Sequence, residues 1–161
     1  MNMKDAVVSV LTNWKNYSDR ACRSEFWYFA LVVTLGLSFI HIIEIATGMV
    51  DIENDEWKII YIATGLLESG SDELGILSFI CSLLILPPGI SVTARRLHDI
   101  GWSGWWQLPI FLVMFIGVVL YESGWTDWWV YLFLFSYLVL AVLNALPATE
   151  DENKWGRNPL I

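Results

Sequence analysis

Four stretches of this chain run for 17 to 19 residues without one Asp, Glu, Lys or Arg: Phe26–Ile43, Leu74–Val92, Trp105–Tyr121 and Trp128–Leu146. About 20 mostly apolar residues in a helix cross the hydrocarbon of a bilayer. Such runs in 161 residues predict one all-α membrane domain, a bundle of four transmembrane helices. Composition agrees: 56% of the residues are hydrophobic, against roughly 45–50% in soluble domains. Only Glu122 to Asp127 separates the last two runs, which predicts an antiparallel hairpin.

Charge orients the bundle. Lys4, Lys15, Arg20 and Arg23 precede the first run, Arg95 and Arg96 follow the second, and Lys154 and Arg157 follow the fourth. An even number of spans puts all eight on one side and only Lys58 on the other. The positive-inside rule makes that side cytoplasmic, with both termini. The opposite side receives ten of the seventeen acids, mostly in an extracytoplasmic loop over 44–73. Within it, 57–67 is too short to span and reads as an interfacial helix. The placement implied is a membrane crossed several times.

The N-terminus lacks the long apolar run and cleavage site of a signal peptide. Met3, Val7, Val10, Leu11 and Trp14 recur at helical spacing, which predicts an amphipathic helix lying on the inner leaflet. Pro87-Pro88 near the end of the second run predicts a kink or break near Leu86, because each proline removes a backbone donor. Trp27, Trp102, Trp105, Trp106, Trp125, Trp128 and Trp129 flank the runs, where indole rings anchor at headgroup depth.

Several classes are disfavoured. No basic patch exceeds a pair, so nucleic acid is not a partner. Cys22 and Cys81 lie in unlike surroundings and predict free thiols. Two histidines without partnered cysteines offer no metal or cofactor site.

Between the second and third runs lies Arg95-Arg96-Leu97-His98-Asp99-Ile100-Gly101-Trp102-Ser103-Gly104-Trp105-Trp106. Charges are costly in lipid, so this polar knot belongs at the interface and is the place to look for chemistry. Three motifs carry a resemblance. Arg20-Ala21-Cys22-Arg23-Ser24-Glu25-Phe26-Trp27 resembles the opening motif G-R-x-x-R-x-E-[FY]-W of small bacterial inner-membrane proteins of the domain of unknown function 805 family. Ala94 to Asp99, with Gly101 and Ser103 to Trp106, is similar to that family's central signature. Asn153-Lys154-Trp155-Gly156-Arg157-Asn158-Pro159 is similar to its closing motif. The resemblance covers roughly residues 14 to 160. It departs at Asp19, where the family usually has Gly. It implies a multi-span inner-membrane protein and no activity.

With four spans, all three motifs fall on the cytoplasmic face. Arg20, Arg23, Glu25, Arg95, Arg96, His98, Asp99, Asn153, Arg157 and Asn158 are then the candidate cluster. Four roles stay open. The cluster is structural, with arginine–carboxylate pairs holding helix to helix. It recognises an anionic lipid headgroup. It relays protons through His98 and Asp99 beside a kinked second span, as in a small transporter. Or it is the site of a membrane-embedded enzyme, although Gly101 to Gly104 is one residue short of a nucleophile elbow. Residue types favour the first two, a non-enzymatic role with membrane lipids as partners. A second copy or another membrane protein stays open as a partner.

Overall fold

The computed structural model describes residues 1–49, 76–122 and 128–159. The expected helix at 57–67, Lys58, most of the loop acids and Trp125 lie outside the described residues, as do the side chains of Trp128 and Trp129.

The described chain is helical apart from one two-stranded ribbon. Its helices are α1 (Met3–Thr12), α2 (Arg23–Ala46), α3 (Ile76–Asp99), α4 (Gln107–Glu122) and α5 (Trp128–Ala145). A short 3-10 turn, Gly104–Trp106, leads into α4. Strands β1 (Glu152–Asn153) and β2 (Gly156–Arg157) pair antiparallel. α1 packs on α2 and α3, α2 on α3, and α4 on α5.

Two helices, α2 and α3, have 24 residues each and are long and apolar enough to cross a membrane. α4 has 16 residues and α5 has 18. On α2, Leu31, Leu35, Phe39 and Ile42 are exposed at helical spacing, and Ile76, Ile80 and Leu84 are exposed on α3. Large contiguous apolar stripes of this kind are unstable in water and stable against lipid. Burial is inverted at the other extreme, since among the described residues the largest fully buried side chain is Arg96.

Two expectations need correcting. α3 is helical from Ile76 to Asp99 with Pro87 and Pro88 inside it, so of the kink or break expected near Leu86 the break does not occur. The two lost donors fall within one turn, and the bonds before and after that turn carry the helix on. Arg95 to Asp99 therefore form the last turns of a helix rather than a loop.

The second correction concerns α1. Asn2 caps this helix by accepting from the Asp5 N–H at 2.8 Å. Val10, expected on a lipid-facing stripe, is fully buried in a core cluster with Ala21, Phe29 and Val92. Ala6 is buried beside it, while Met3, Val8, Leu11 and Trp14 stay exposed. A single apolar stripe assumes one apolar neighbour. α1 has a protein neighbour as well, and the smaller side chains face it.

Candidate functional site

The knot is built on the C-terminus of α3, where the last carbonyls of a helix have no partner of their own. Gly101 adopts φ +82°, and its N–H donates to the His98 carbonyl at 3.1 Å while Trp102 N–H reaches Leu97 at 2.9 Å. This is the Schellman ending, which needs the left-handed backbone that glycine allows. It turns the chain sharply, so the 3-10 turn lies back against α3. A Cβ placed on Gly104 would come within 2.8 Å of the Ala94 Cβ.

Asp99 sits at the centre. Arg20 donates from Nε to its Oδ1 at 2.9 Å, and Arg96 donates from Nη1 to its Oδ2. Both arginines then spend their remaining groups on carbonyls. Arg20 Nη1 reaches Gly156 at 3.1 Å, and Nη2 reaches Glu150 at 2.9 Å. Arg96 Nε reaches Asn144 at 3.0 Å, and Nη2 reaches Leu146. Those last two carbonyls close α5, the negative end of its dipole, so a buried cation is favourable there. Ion pairs taken out of water are stable only when their other hydrogen-bonding groups are satisfied as well. Here they are.

A second pair lies beside it. Arg95 Nη1 donates to Glu25 Oε1 at 2.9 Å, and the same oxygen accepts the Ser9 hydroxyl at 3.0 Å. His98 points away from Asp99. Its Nδ1 lies 3.1 Å from the Asp19 carbonyl, and since a carbonyl cannot donate, Nδ1 carries the proton. Trp155 stacks on its ring at 4.4 Å and 9°. Asn153 donates to the His98 carbonyl at 2.9 Å and accepts from Trp155 N–H at 3.0 Å.

Of the ten expected residues, Arg20, Glu25, Arg95, Arg96, His98 and Asp99 are buried, and half-buried Asn153 touches them. Arg23 is exposed. Arg157 is exposed too, facing Glu152 at 4.0 Å. Asn158 is half-buried, and its N–H closes the hairpin base on Asp151 at 2.7 Å. Trp27, Trp102, Trp105 and Trp106 are exposed.

Comparison with known proteins places the chain in a family. Residues 14–157 match the family described as protein of unknown function (DUF805). The chain belongs to the DUF805 family. It is 29% identical over 157 residues to the inner membrane protein YhaH of Escherichia coli strain K12, covering 98% of each chain. It is 28% identical over 152 residues to the inner membrane protein YhaI of the same strain, covering 94% of this chain and 92% of that one. No solved structure matches. With these relatives and its long apolar helices, this DUF805 chain is an inner-membrane protein.

The DUF805 knot also uses residues that the motifs do not point to. Ser9 is on α1, and the Ser91 hydroxyl donates to the Asn16 carbonyl at 2.7 Å, tying α3 to the loop after α1. Asn144 is fully buried and accepts Arg96 through its carbonyl. The signal for Asn144 was an amide inside an apolar helix, whereas Ser9 and Ser91 had no signal that set them apart from the other hydroxyl residues of their helices. The roles of the Asn16, Glu150 and Leu146 carbonyls had no signal, because any residue type has one.

Proposed function

We propose that this protein is a non-enzymatic, four-span inner-membrane protein with both termini in the cytoplasm. Its Arg20–Asp99–Arg96 clasp locks the ends of the first, second and fourth spans together, and α1 rests on the inner leaflet. One observation carries the reading: both oxygens of Asp99 are taken by arginines whose remaining groups are spent on the chain ends they join. A carboxylate with both oxygens on guanidinium groups has none left to face a relay partner. His98 is buried, with one face under an indole and its Nε2 against Gly104, so its ring offers little access to a substrate. The geometry thus favours a structural clasp over relay or catalysis. The exposed Leu11 and Trp14, with the Lys15 ammonium 4.8 Å above the Trp14 ring, suit a leaflet surface.

Cys22 tests this directly. It is the N-cap of α2 and only 2% exposed. In a Cys81→Ser background, a membrane-impermeant maleimide should label it slowly, and only in inside-out vesicles. Asp99→Ala leaves two buried arginines without their carboxylate and should raise the rate at least tenfold. An unchanged rate rejects the clasp. Labelling from the opposite face rejects the orientation.

A further inference from the structure

Arg95 differs from the other two buried arginines. Arg20 and Arg96 use Nε, Nη1 and Nη2. Arg95 uses Nη1 on Glu25, whereas its Nε and Nη2 are buried and have no partner among the described residues. Those two nitrogens share one edge of the guanidinium plane and aim their N–H bonds side by side. That edge is the fork that matches two oxygens of a phosphate. An unfilled buried donor pair is destabilising, and a bound oxyanion would relieve both donors at once.

We propose that the Nε–Nη2 edge of Arg95 is a phosphate-binding site, filled by the headgroup of an acidic phospholipid or by free phosphate. Charge supports an anion, because the buried knot holds three arginines to two carboxylates. Position supports it as well, because Arg95 stands in the last turns of α3, at the end of a helix long and apolar enough to cross a membrane. The chain from Ser9 to Ala21 lies over this part of α3. Ser9 bonds Glu25, the Asn13 and Asn16 carbonyls accept from Ser91, and Ala21 N–H donates to the Arg95 carbonyl at 3.1 Å. The part of that segment before Asp19 does not include the Arg20 clasp and is held by these few hydrogen bonds and the packing of α1, so it, rather than a span, shifts to admit the ligand. The site rests on the cytoplasmic placement of the knot and is independent of the clasp.

The test uses full-length protein in mild detergent, stripped of lipid and titrated with phosphatidylglycerol or with inorganic phosphate. Native mass spectrometry and thermal melting are the readouts. Wild type should bind one phosphatidylglycerol and melt higher. Arg95→Lys keeps a cation for Glu25 but has no fork, and should bind at least tenfold more weakly. Glu25→Gln keeps an acceptor for Arg95 and Ser9, removes the charge that repels phosphate, and should bind several-fold more tightly. Saturation by inorganic phosphate with no added gain from lipid assigns the site to free phosphate. No response of wild type to either probe overturns the site, and so does equal binding by all three proteins. If Arg95→Lys does not fold, the Glu25→Gln arm decides. Sided labelling of Cys22 on the same proteins separates a wrong orientation from an empty site.

Discussion

The α2–α3 pair buries charge at both of its ends, by opposite means. At the knot, arginines and carboxylates form a network that reaches α1, α5 and the C-terminal hairpin. At the other end, Glu44 is the one buried carboxylate among the described residues there. It is 1% exposed, and its Oε1 accepts the N–H groups of Leu77 at 2.7 Å and Ser78 at 3.1 Å. These are the second and third residues of α3, so a carboxylate from one helix caps the start of the next. The positive end of the α3 dipole favours that charge. His41 Nδ1 stands 3.7 Å from its other oxygen. One end is a lock with many members; the other is a single latch. A network fails when any member leaves a neighbour's charge bare. A cap fails only as far as its own hydrogen bonds.

The first way to break the comparison is at Arg96. Arg96→Leu bares one oxygen of Asp99 and the carbonyls that close α5, and removing one partner of a buried pair costs about 3–5 kcal/mol. For a chain of this size that lowers the melting temperature in detergent by about 10 °C. At the latch, Glu44→Ala frees two helix N–H groups and should cost about 2–3 kcal/mol. Glu44→Gln keeps an acceptor and should cost about 1 kcal/mol, of the order of a lost capping or dipole interaction. If Arg96→Leu and Glu44→Gln melt together, the two ends are equivalent and the distinction between lock and latch is wrong.

How much of this was readable beforehand differs between the two ends. Charges in an otherwise apolar sequence are conspicuous, so Arg95, Arg96, His98 and Asp99 stood out, and the motifs added Arg20 and Glu25. Pairing was not readable. Arg95 and Arg96 are neighbours, and only the helical phase of α3 sends one to Glu25 and the other to Asp99. The three-residue spacing of His41 and Glu44 puts both on one helical face. That Glu44 caps α3 depends on how α2 and α3 align, which no local pattern encodes. The apolar phase of α1 misled for a related reason: hydrophobicity does not distinguish lipid from a neighbouring helix.

The knot also depends on close approach, which the latch does not. Gly104→Ala forces a methyl against Ala94, and overpacking of this kind should cost about 1–2 kcal/mol. Ala94→Gly in the same chain should return most of that loss. A double variant no better than Gly104→Ala would mean that the 3-10 turn is not seated on α3 in the membrane.

The smallest expected effect tests how far the lock extends. Trp155 lies in the hairpin turn, stacks on His98 and has the Lys154 ammonium 4.1 Å from its ring. Trp155→Ala removes the stack but leaves the Arg20 bonds to Glu150 and Gly156 in place. An aromatic pair contributes about 1 kcal/mol beyond its burial, so the melting temperature should fall by only a few degrees. Hydrogen exchange should show the 152–157 ribbon opening faster while α3 stays protected. If Trp155→Ala instead loosens α3 as much as Arg96→Leu does, the hairpin is a full member of the lock. His98, rather than Asp99, would then be the residue on which the knot turns.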